Sequence, residues 1–125
     1  MVVGIGIDLV EVARIGAELD RDGAAFRERL FTPEEIAYSD RMRYPARHYA
    51  ARFAAKEALF KALGIGCPHL GAWREVEVRR EPSGAARIHL SGAAAGAAAE
   101  RGARRILLSL SHTERWATAS VVVES

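Results

Sequence analysis

One segment limits the possible folds more than any other part of the chain: the run from Pro45 to Leu63, which begins with proline and is followed by Gly64. Proline is tolerated in the first turn of a helix and glycine commonly follows the last, so this run is predicted to be one long helix. Most of one side of it carries small residues, namely Ala51, Ala54, Ala55, Ala58, Leu59 and Ala62. Because alanine adds little bulk, this side is expected to pack closely.

The N-terminal segment VVGIGIDLV, residues 2–10, alternates as a β-strand. Gly4, Gly6 and Asp8 share one face, and the two glycines leave room for another backbone or a ligand. The segment lacks the third glycine of a dinucleotide-binding fingerprint. Asp8 either caps the following helix or, as a carboxylate on a half-buried face, binds a hard cation such as Mg²⁺.

Start and stop signals define the other helices of the first half. Residues 11–20 are predicted to form a helix that ends near Asp22-Gly23, and residues 24–30 a short helical stretch. Thr32-Pro33-Glu34-Glu35 has the form of a capping box, which starts a helix that runs to about Arg43.

The second half is predicted to contain two hairpins separated by an alanine-rich helix at 92–101. A Gly/Pro loop over 65–72 contains Cys67, read as a loop residue. The predicted strands cover residues 74–80, 87–90, 106–112 and 116–123. The order of strand, helices, hairpin, helix and hairpin predicts an α+β fold, a single domain over residues 1–125 with an antiparallel sheet packed against helices.

The composition narrows the class of protein. The 125 residues are 50% hydrophobic but only 7% aromatic, and a net charge of +2 is too small to argue for nucleic acid. A single cysteine excludes an internal disulfide and a cysteine-based zinc cage. No signal peptide or run of about 20 apolar residues is present. We therefore expect a cytoplasmic protein with no membrane or nucleic-acid partner, whose thin core favours oligomerisation.

The long helix also carries charged residues at regular spacing. Arg52 and Lys56 form one row, Glu57 and Lys61 a second, and aromatic residues lie between the rows. This pattern is typical either of a solvated face with weak ion pairs or of a phosphate site in which a carboxylate also holds a metal. The stretch 41–56 has five cations and no acidic residue, which suits a polyanionic small molecule, RNA or a solvated face.

Near the C-terminus, the segment Ser109-Leu110-Ser111-His112-Thr113 ends a predicted strand. Alternation places His112 on the face of Leu110, with Ser111 and Thr113 opposite. No Gly-x-Ser-x-Gly elbow surrounds either serine, so a hydrolase triad is unsupported. From the residues alone, His112 can equally be a hairpin-end histidine bonded to the backbone.

The three segments GIGID (4–8), RFAAKEA (52–58) and SLSHT (109–113), with their order and separation, closely resemble the signatures of holo-acyl-carrier-protein synthases. The resemblance covers essentially the whole chain, although residues 65–105 match only in layout. It implies the 4′-phosphopantetheinyl transferase fold. It also implies transfer of 4′-phosphopantetheine from coenzyme A to a serine of acyl carrier protein, a step that supports fatty acid biosynthesis.

The resemblance also implies roles for individual residues. The Mg²⁺ ligands would be Asp8 and Glu57, which with Lys61 form the catalytic group. The substrate-binding residues would be Arg52, Lys56, Lys61, Gly64, Ser111, His112 and Thr113. A general base is not evident, and our hypothesis is Glu57 acting through a metal-bound water.

Partners follow from the same resemblance. Members of this family form trimers with each active site between neighbouring subunits, so the resemblance implies the same assembly here. The first helix would receive the acidic carrier protein through Arg14, Arg21, Phe26 and Arg29. Two alternatives remain: a non-catalytic RNA-binding module that uses the basic stretch 41–56, and a transferase acting on carrier domains of peptide or polyketide synthases.

Overall fold

The elements follow the predicted order and confirm the α+β class. The computed structural model describes residues 1–66, 68–69 and 71–125, so the prediction for Cys67 lies outside the described residues. Its helices are α1 (Val12–Leu30), α2 (Pro33–Asp40), α3 (Pro45–Ala62), α4 (Ala72–Glu75) and α5 (Gly92–Glu100). Its strands are β1 (Val2–Glu11), β2 (Val76–Arg80), β3 (Ala86–Leu90), β4 (Arg105–His112) and β5 (Trp116–Glu124).

The strands form two antiparallel sheets rather than one. The larger sheet has the order β1-β5-β4, and β2 pairs with β3 as a separate hairpin. In the larger sheet Asp8 pairs with Ala119, and His112 pairs with Ala117. The first and last sequence motifs therefore lie on the two outer strands of one sheet, in nearby rows.

The glycine face of β1 packs directly against the backbone of α3. A methyl group at Gly6 would overlap the carbonyl oxygen of Ala58, and one at Gly4 would overlap that of Ala62. Only glycine permits this approach, which brings Asp8 close to the C-terminal half of α3. The room left by the glycines is thus filled by another backbone.

The helix α3 is buried on almost all sides. Its small residues Ala54, Ala55 and Ala58 are fully buried, as the sequence predicts. The opposite side was expected to present an open row of cations, but Arg52 is 1% exposed and Lys56 is 0% exposed. These two side chains are covered because α2 and α4 pack over that side of α3.

Several boundaries differ from the sequence-based expectation. The break predicted near residues 22–23 is confirmed as non-helical dihedral angles at Asp22 within α1. The next helix, α2, ends at Asp40 rather than near Arg43. Residues 72–75 form a helical turn, so the strand predicted from residue 74 begins at Val76. Within the described ranges, no helix has both the length and the apolar character needed to cross a membrane.

Candidate active site

Two carboxylates and a lysine meet where β1 crosses the C-terminal half of α3. The Nζ atom of Lys61 lies 3.0 Å from Oδ1 of Asp8 and 3.1 Å from the carbonyl oxygen of Ile7, and donates to both. The Asp8 side chain is 12% exposed, whereas that of Lys61 is 54% exposed. The helix α1 begins after Glu11, so Asp8 does not cap it. The structure thus gives Asp8 a lysine partner at the edge of an open site.

Glu57 completes this cluster from the preceding turn of α3. Its partial burial raises the pKa of its carboxyl, and the negative charge of Asp8 raises it further, while Lys61 and Arg14 act in the opposite direction. The effect of Asp8 on this pKa means that the two carboxylates lie near enough for their charges to interact. Such a site accumulates negative charge that a cation would relieve.

The oxygen donors of this cluster fit Mg²⁺. Among the described residues, no group of three or more His, Cys, Asp and Glu side chains could hold a metal. Mg²⁺ seldom uses such a cage, because it keeps several waters and is held by one or two carboxylates together with phosphate oxygens of a substrate. Asp8 and Glu57 supply that number of carboxylates, and their mutual repulsion is the kind that a divalent ion offsets.

Of the four residues expected to meet a carrier protein, the structure brings only Arg14 close to the cluster. Its guanidinium lies 5.7 Å from the ring centroid of Phe53 and lowers the pKa of Glu57. Arg21 is exposed and bonded to a neighbouring glutamate, and Arg29 is exposed in the last turn of α1.

Phe26, the aromatic member of that set, does not lie on the surface. It is 5% exposed and packs edge-to-face against Phe31, with ring centroids 5.9 Å apart. Its helix is amphipathic, and the buried stripe passes through this position. In this structure Phe26 therefore holds α1 against the core while the arginines stay outside.

Lys56 is bonded inside the protein rather than exposed to a substrate. Its Nζ donates to Oε1 of Glu35 at 2.7 Å and to the carbonyl oxygen of Trp73 at 2.8 Å. Burial lowers the pKa of Lys56, and the charge of Glu35 opposes that change. The sequence indicated Glu35 only as the last residue of a capping box, and nothing local predicts that it neutralises a lysine in the next helix.

A second charged cluster surrounds Tyr38 near the N-terminal half of α3. The guanidinium of Arg52 lies 4.1 Å from the Tyr38 ring centroid, and its buried Nε has no hydrogen-bond partner among the residues described. A cavity of about 400 Å³ opens beside it. The charged and aromatic side chains that line this cavity are Glu34, Tyr38, Arg41, Arg52, Arg79 and Arg80. This excess of cations makes the cavity suited to an anion.

His112 joins this second cluster through His48. The two imidazole rings lie 5.3 Å apart, and the His48 ring lies 5.9 Å from Tyr38. Burial lowers the pKa of His48, and His112, Arg52 and other nearby cations lower it further. Arg52 and His112 thus both lie near His48, and their roles in substrate binding stay predictions.

The remaining predicted site residues lie on the surface. Ser111 and Thr113 are exposed at the end of β4. The hydroxyl oxygen of Thr113 accepts from the backbone N–H of Arg115 and Trp116, which shapes the β4–β5 turn. Gly64 follows α3 with a φ of 71°, a left-handed conformation that favours glycine.

An apolar cavity adjoins the carboxylate cluster. It has a volume of about 400 Å³ and is lined at one end by Glu57 and Lys61, with Phe60 and Trp73 among its apolar walls. The Trp73 ring is stacked on Phe53 at 5.3 Å between centroids and meets the edge of Phe60 at 5.1 Å. The one-turn helix α4, which the sequence did not predict, positions this wall.

Known proteins resemble this chain over nearly its full length. The family model of the 4′-phosphopantetheinyl transferase superfamily matches residues 4–119. The holo-[acyl-carrier-protein] synthase of Koribacter versatilis is 46% identical over 124 residues, 99% of each chain. The crystal structure of the corresponding synthase from Neisseria meningitidis is 34% identical and covers 100% of both chains with a TM-score of 0.90. That of the Helicobacter pylori synthase in complex with coenzyme A is 31% identical, with a TM-score of 0.81 over 96% of this chain and 99% of that chain.

Proposed function

Because this chain belongs to the 4′-phosphopantetheinyl transferase superfamily, we propose that it transfers the 4′-phosphopantetheine group of coenzyme A to a serine of an apo-acyl carrier protein. The products are the holo-carrier and adenosine 3′,5′-bisphosphate. The observation that carries the proposal is the cluster of Asp8, Glu57 and Lys61, because it places a lysine on one of two carboxylates whose charges interact. The holo-carrier would serve fatty acid biosynthesis.

The cluster is suited to a diphosphate substrate. We assign Asp8 and Glu57 as the residues that hold Mg²⁺, which when bound neutralises the negative charge of the two phosphates. Lys61 is more than half exposed at the side-chain level, so its ammonium can leave Asp8 and contact a phosphate oxygen. Lys56, by contrast, already has two internal partners, which argues against the direct phosphate contact expected from the motif.

The reaction is an in-line displacement at phosphorus. The serine oxygen forms a bond to the β-phosphorus of coenzyme A, and the bond from that phosphorus to the bridging oxygen breaks. The electron pair of the broken bond leaves with adenosine 3′,5′-bisphosphate. We assign the proton of the serine hydroxyl to the Glu57 carboxylate through a bridging water.

The cavity beside Tyr38 would receive the nucleotide end of coenzyme A. Arg52 offers a buried donor without a partner among the described residues, and Arg41 and Arg80 add positive charge at the cavity wall. Phosphate oxygens are the acceptors that arginine binds most effectively. His112 would line this subsite through its contact with His48, and Ser111, Thr113 and Gly64 remain predicted substrate contacts.

We further propose a homotrimer in which each active site lies between neighbouring subunits. The face of β1 that points away from α3 is apolar and open, with Ile5 71%, Ile7 65% and Leu9 62% exposed. Burial of that face against a second copy would remove apolar surface from water. Residues five apart on a helix point about 140° apart, so Glu57 and Arg52 face different ways. In a trimer, the cluster around Glu57 in one subunit would therefore lie against the cluster around Arg52 in its neighbour.

The carrier protein would bind next to this site. The exposed Arg14, Arg21 and Arg29 on α1 match an acidic partner. Arg14 stands closest to Glu57, so a carrier bound there would bring its serine to the carboxylate cluster. Because coenzyme A is an intracellular metabolite, we place the reaction in the cytoplasm.

The test is to incubate the protein with coenzyme A, Mg²⁺ and an apo-acyl carrier protein and to weigh the carrier by mass spectrometry. We expect the carrier to gain the mass of one phosphopantetheinyl group, and native mass spectrometry to show three copies of the enzyme. Carrier domains of peptide and polyketide synthases in parallel reactions establish the preferred acceptor. The absence of a mass gain on every carrier would refute the proposed reaction.

A further inference from the structure

Glu35 is a buried carboxylate outside the Asp8, Glu57 and Lys61 cluster. Its charge also acts on Arg52 of the second cluster, because burial lowers the pKa of that guanidinium and Glu35 opposes the change. Glu35 is 1% exposed, and both of its oxygens accept hydrogen bonds. Oε1 accepts from the backbone N–H of Thr32 at 2.9 Å and from Lys56 at 2.7 Å, and Oε2 accepts from the backbone N–H of Val78 at 2.9 Å. One side chain thus joins the start of α2, the strand β2 and the middle of α3.

Lys56 carries this connection to the wall of the apolar cavity. Its second hydrogen bond is to the carbonyl oxygen of Trp73 in the one-turn helix α4. The helix α4 has no side-chain cap at its N-terminus. The ring of Trp73 packs on two aromatic residues of α3 and lines the cavity that ends at Glu57 and Lys61.

We propose that Glu35 is a positioning residue for the transfer reaction: by holding Lys56 on the Trp73 carbonyl, it fixes the cavity wall next to Glu57 and Lys61. The inference rests on the proposed function for its effect on turnover. A capping role alone would not need Lys56, because in a capping box the Glu35 side chain bonds only to the backbone N–H of Thr32. A fixed wall orients the group next to the phosphates, so its loss should lower the rate more than the affinity.

The experiment uses Glu35→Gln, Lys56→Met and the double variant that combines these two substitutions. Each of them is compared with Thr32→Val. The last variant is the matched control, because it removes the Thr32 hydroxyl that caps α2 and bonds to Glu77 while leaving Glu35 and Lys56 paired. Steady-state assays give kcat and KM for coenzyme A. In protein labelled with 5-fluorotryptophan, the fluorine resonance of Trp73 reports the cavity wall, and Trp116→Phe assigns it.

We expect Glu35→Gln and Lys56→Met each to lower kcat about tenfold or more, with KM for coenzyme A within about twofold of the parent. The double variant should be no slower than the slower single variant, because the two residues act in one chain of contacts. Both single variants should shift the Trp73 resonance, and Thr32→Val should not.

Two outcomes would overturn the proposal. One is a Glu35→Gln protein with unchanged kcat and an unmoved Trp73 resonance. The other is a Lys56→Met protein whose main defect is a raised KM for coenzyme A, together with an effect of Glu35→Gln that adds to it in the double variant. Such a result would mean that Lys56 binds the phosphate directly. If Lys56→Met does not fold, Glu35→Gln and Thr32→Val decide, because the double variant carries the same substitution. The fluorine comparison holds even if the wild-type protein transfers no group, so failure of the reaction and failure of this inference are separable.

Discussion

Two neighbouring residues of α3, Lys56 and Glu57, have opposite surroundings. Lys56 is fully buried, and a carboxylate and a backbone carbonyl satisfy its charge. Glu57 is only partly buried, and burial together with the charge of Asp8 raises its pKa against the opposing effect of Lys61 and Arg14, so its negative charge is incompletely compensated. One helix therefore has a flank whose charges are matched inside the protein and a flank whose charges are left for something outside it.

The difference separates stability from function along a single helix. Removal of one partner of a buried ion pair leaves an uncompensated charge and destabilises a fold strongly. Removal of one of two carboxylates that repel each other does the reverse, because the native state loses an unfavourable interaction. A residue that costs stability and is nevertheless placed in a cavity is the pattern expected of an active site.

The largest effect should come from Glu57→Gln. We expect transfer to fall roughly 10²–10³-fold, a typical loss for a group that stabilises charge in the transition state. Because the native state raises the pKa of Glu57, it holds that proton more tightly than the unfolded chain, so the carboxylate lowers stability as the pH rises through this pKa. The melting temperature of Glu57→Gln in EDTA at neutral pH should therefore equal or exceed that of the parent. Glu100→Gln, on the exposed end of α5, is the control.

The contact that brings Asp8 on β1 to the Glu57 flank of α3 can be broken at Gly6. Its replacement by alanine forces a methyl group onto the Ala58 carbonyl, and we expect a loss of roughly 3 kcal/mol in the free energy of unfolding. Gly16→Ala is the matched control, because the added Cβ would meet only Ala46 Cβ at 3.8 Å within a helix, where alanine gains about 0.5–1 kcal/mol over glycine. Chemical denaturation of both variants measures the contrast, and equal stabilities would contradict the close packing.

Added Mg²⁺ should stabilise the Glu57 flank of α3 by binding to the two carboxylates. A ligand that binds only the native state stabilises it by about 2.7 kcal/mol at a hundredfold excess over its Kd. We expect the melting temperature of the parent to rise with MgCl₂, and that of Asp8→Asn to stay unchanged. Sodium chloride at the same ionic strength is the control for screening. An equal rise in both proteins would mean that the ion binds elsewhere.

The smallest effect concerns His48. Burial and nearby cations lower its pKa, so the native state binds this proton less tightly than the unfolded chain. The stability of a native state that holds His48 neutral is therefore complete above the unfolded pKa of about 6.5. It is lost as the pH falls from that value through the lower pKa of the native state. His48→Gln should reduce the drop in melting temperature between pH 7.5 and 5.5 by about 1–2 °C.

The features that the sequence predicted depend on local signals. Pro45 and Gly64 bound α3 because helix starts and stops require particular residues at those places. The capping box at Thr32 and Glu35 is present as predicted for the same reason. The break at Asp22 follows from a poor helix former next to a glycine. Asp8, Glu57 and Lys61 could be grouped because the motif resembles that of a known family.

The features that the sequence did not predict depend on contacts between distant residues. Glu35 bonds to Lys56, which is 21 positions away, and to Val78, which is 43 positions away. No spacing rule connects these residues. Helical periodicity placed Arg52 and Lys56 on one row, but it does not say whether water or another helix covers that row. The sequence assigns residue 72 to a loop and residues 74–75 to a strand, because the four residues of the turn at 72–75 are too few to show a helical period.

The contact between β1 and α3 has a consequence for engineering. Because the main chains of these elements meet at Gly4 and Gly6, the side chains of the core do not set the spacing between the strand and the helix. The outward face of β1 can therefore be redesigned, for example by replacing Ile5 and Ile7 with polar residues, without moving Asp8 toward or away from the helix. The exposed apolar face of β1 and the distance of Asp8 from α3 are in this sense separately adjustable features of a single strand.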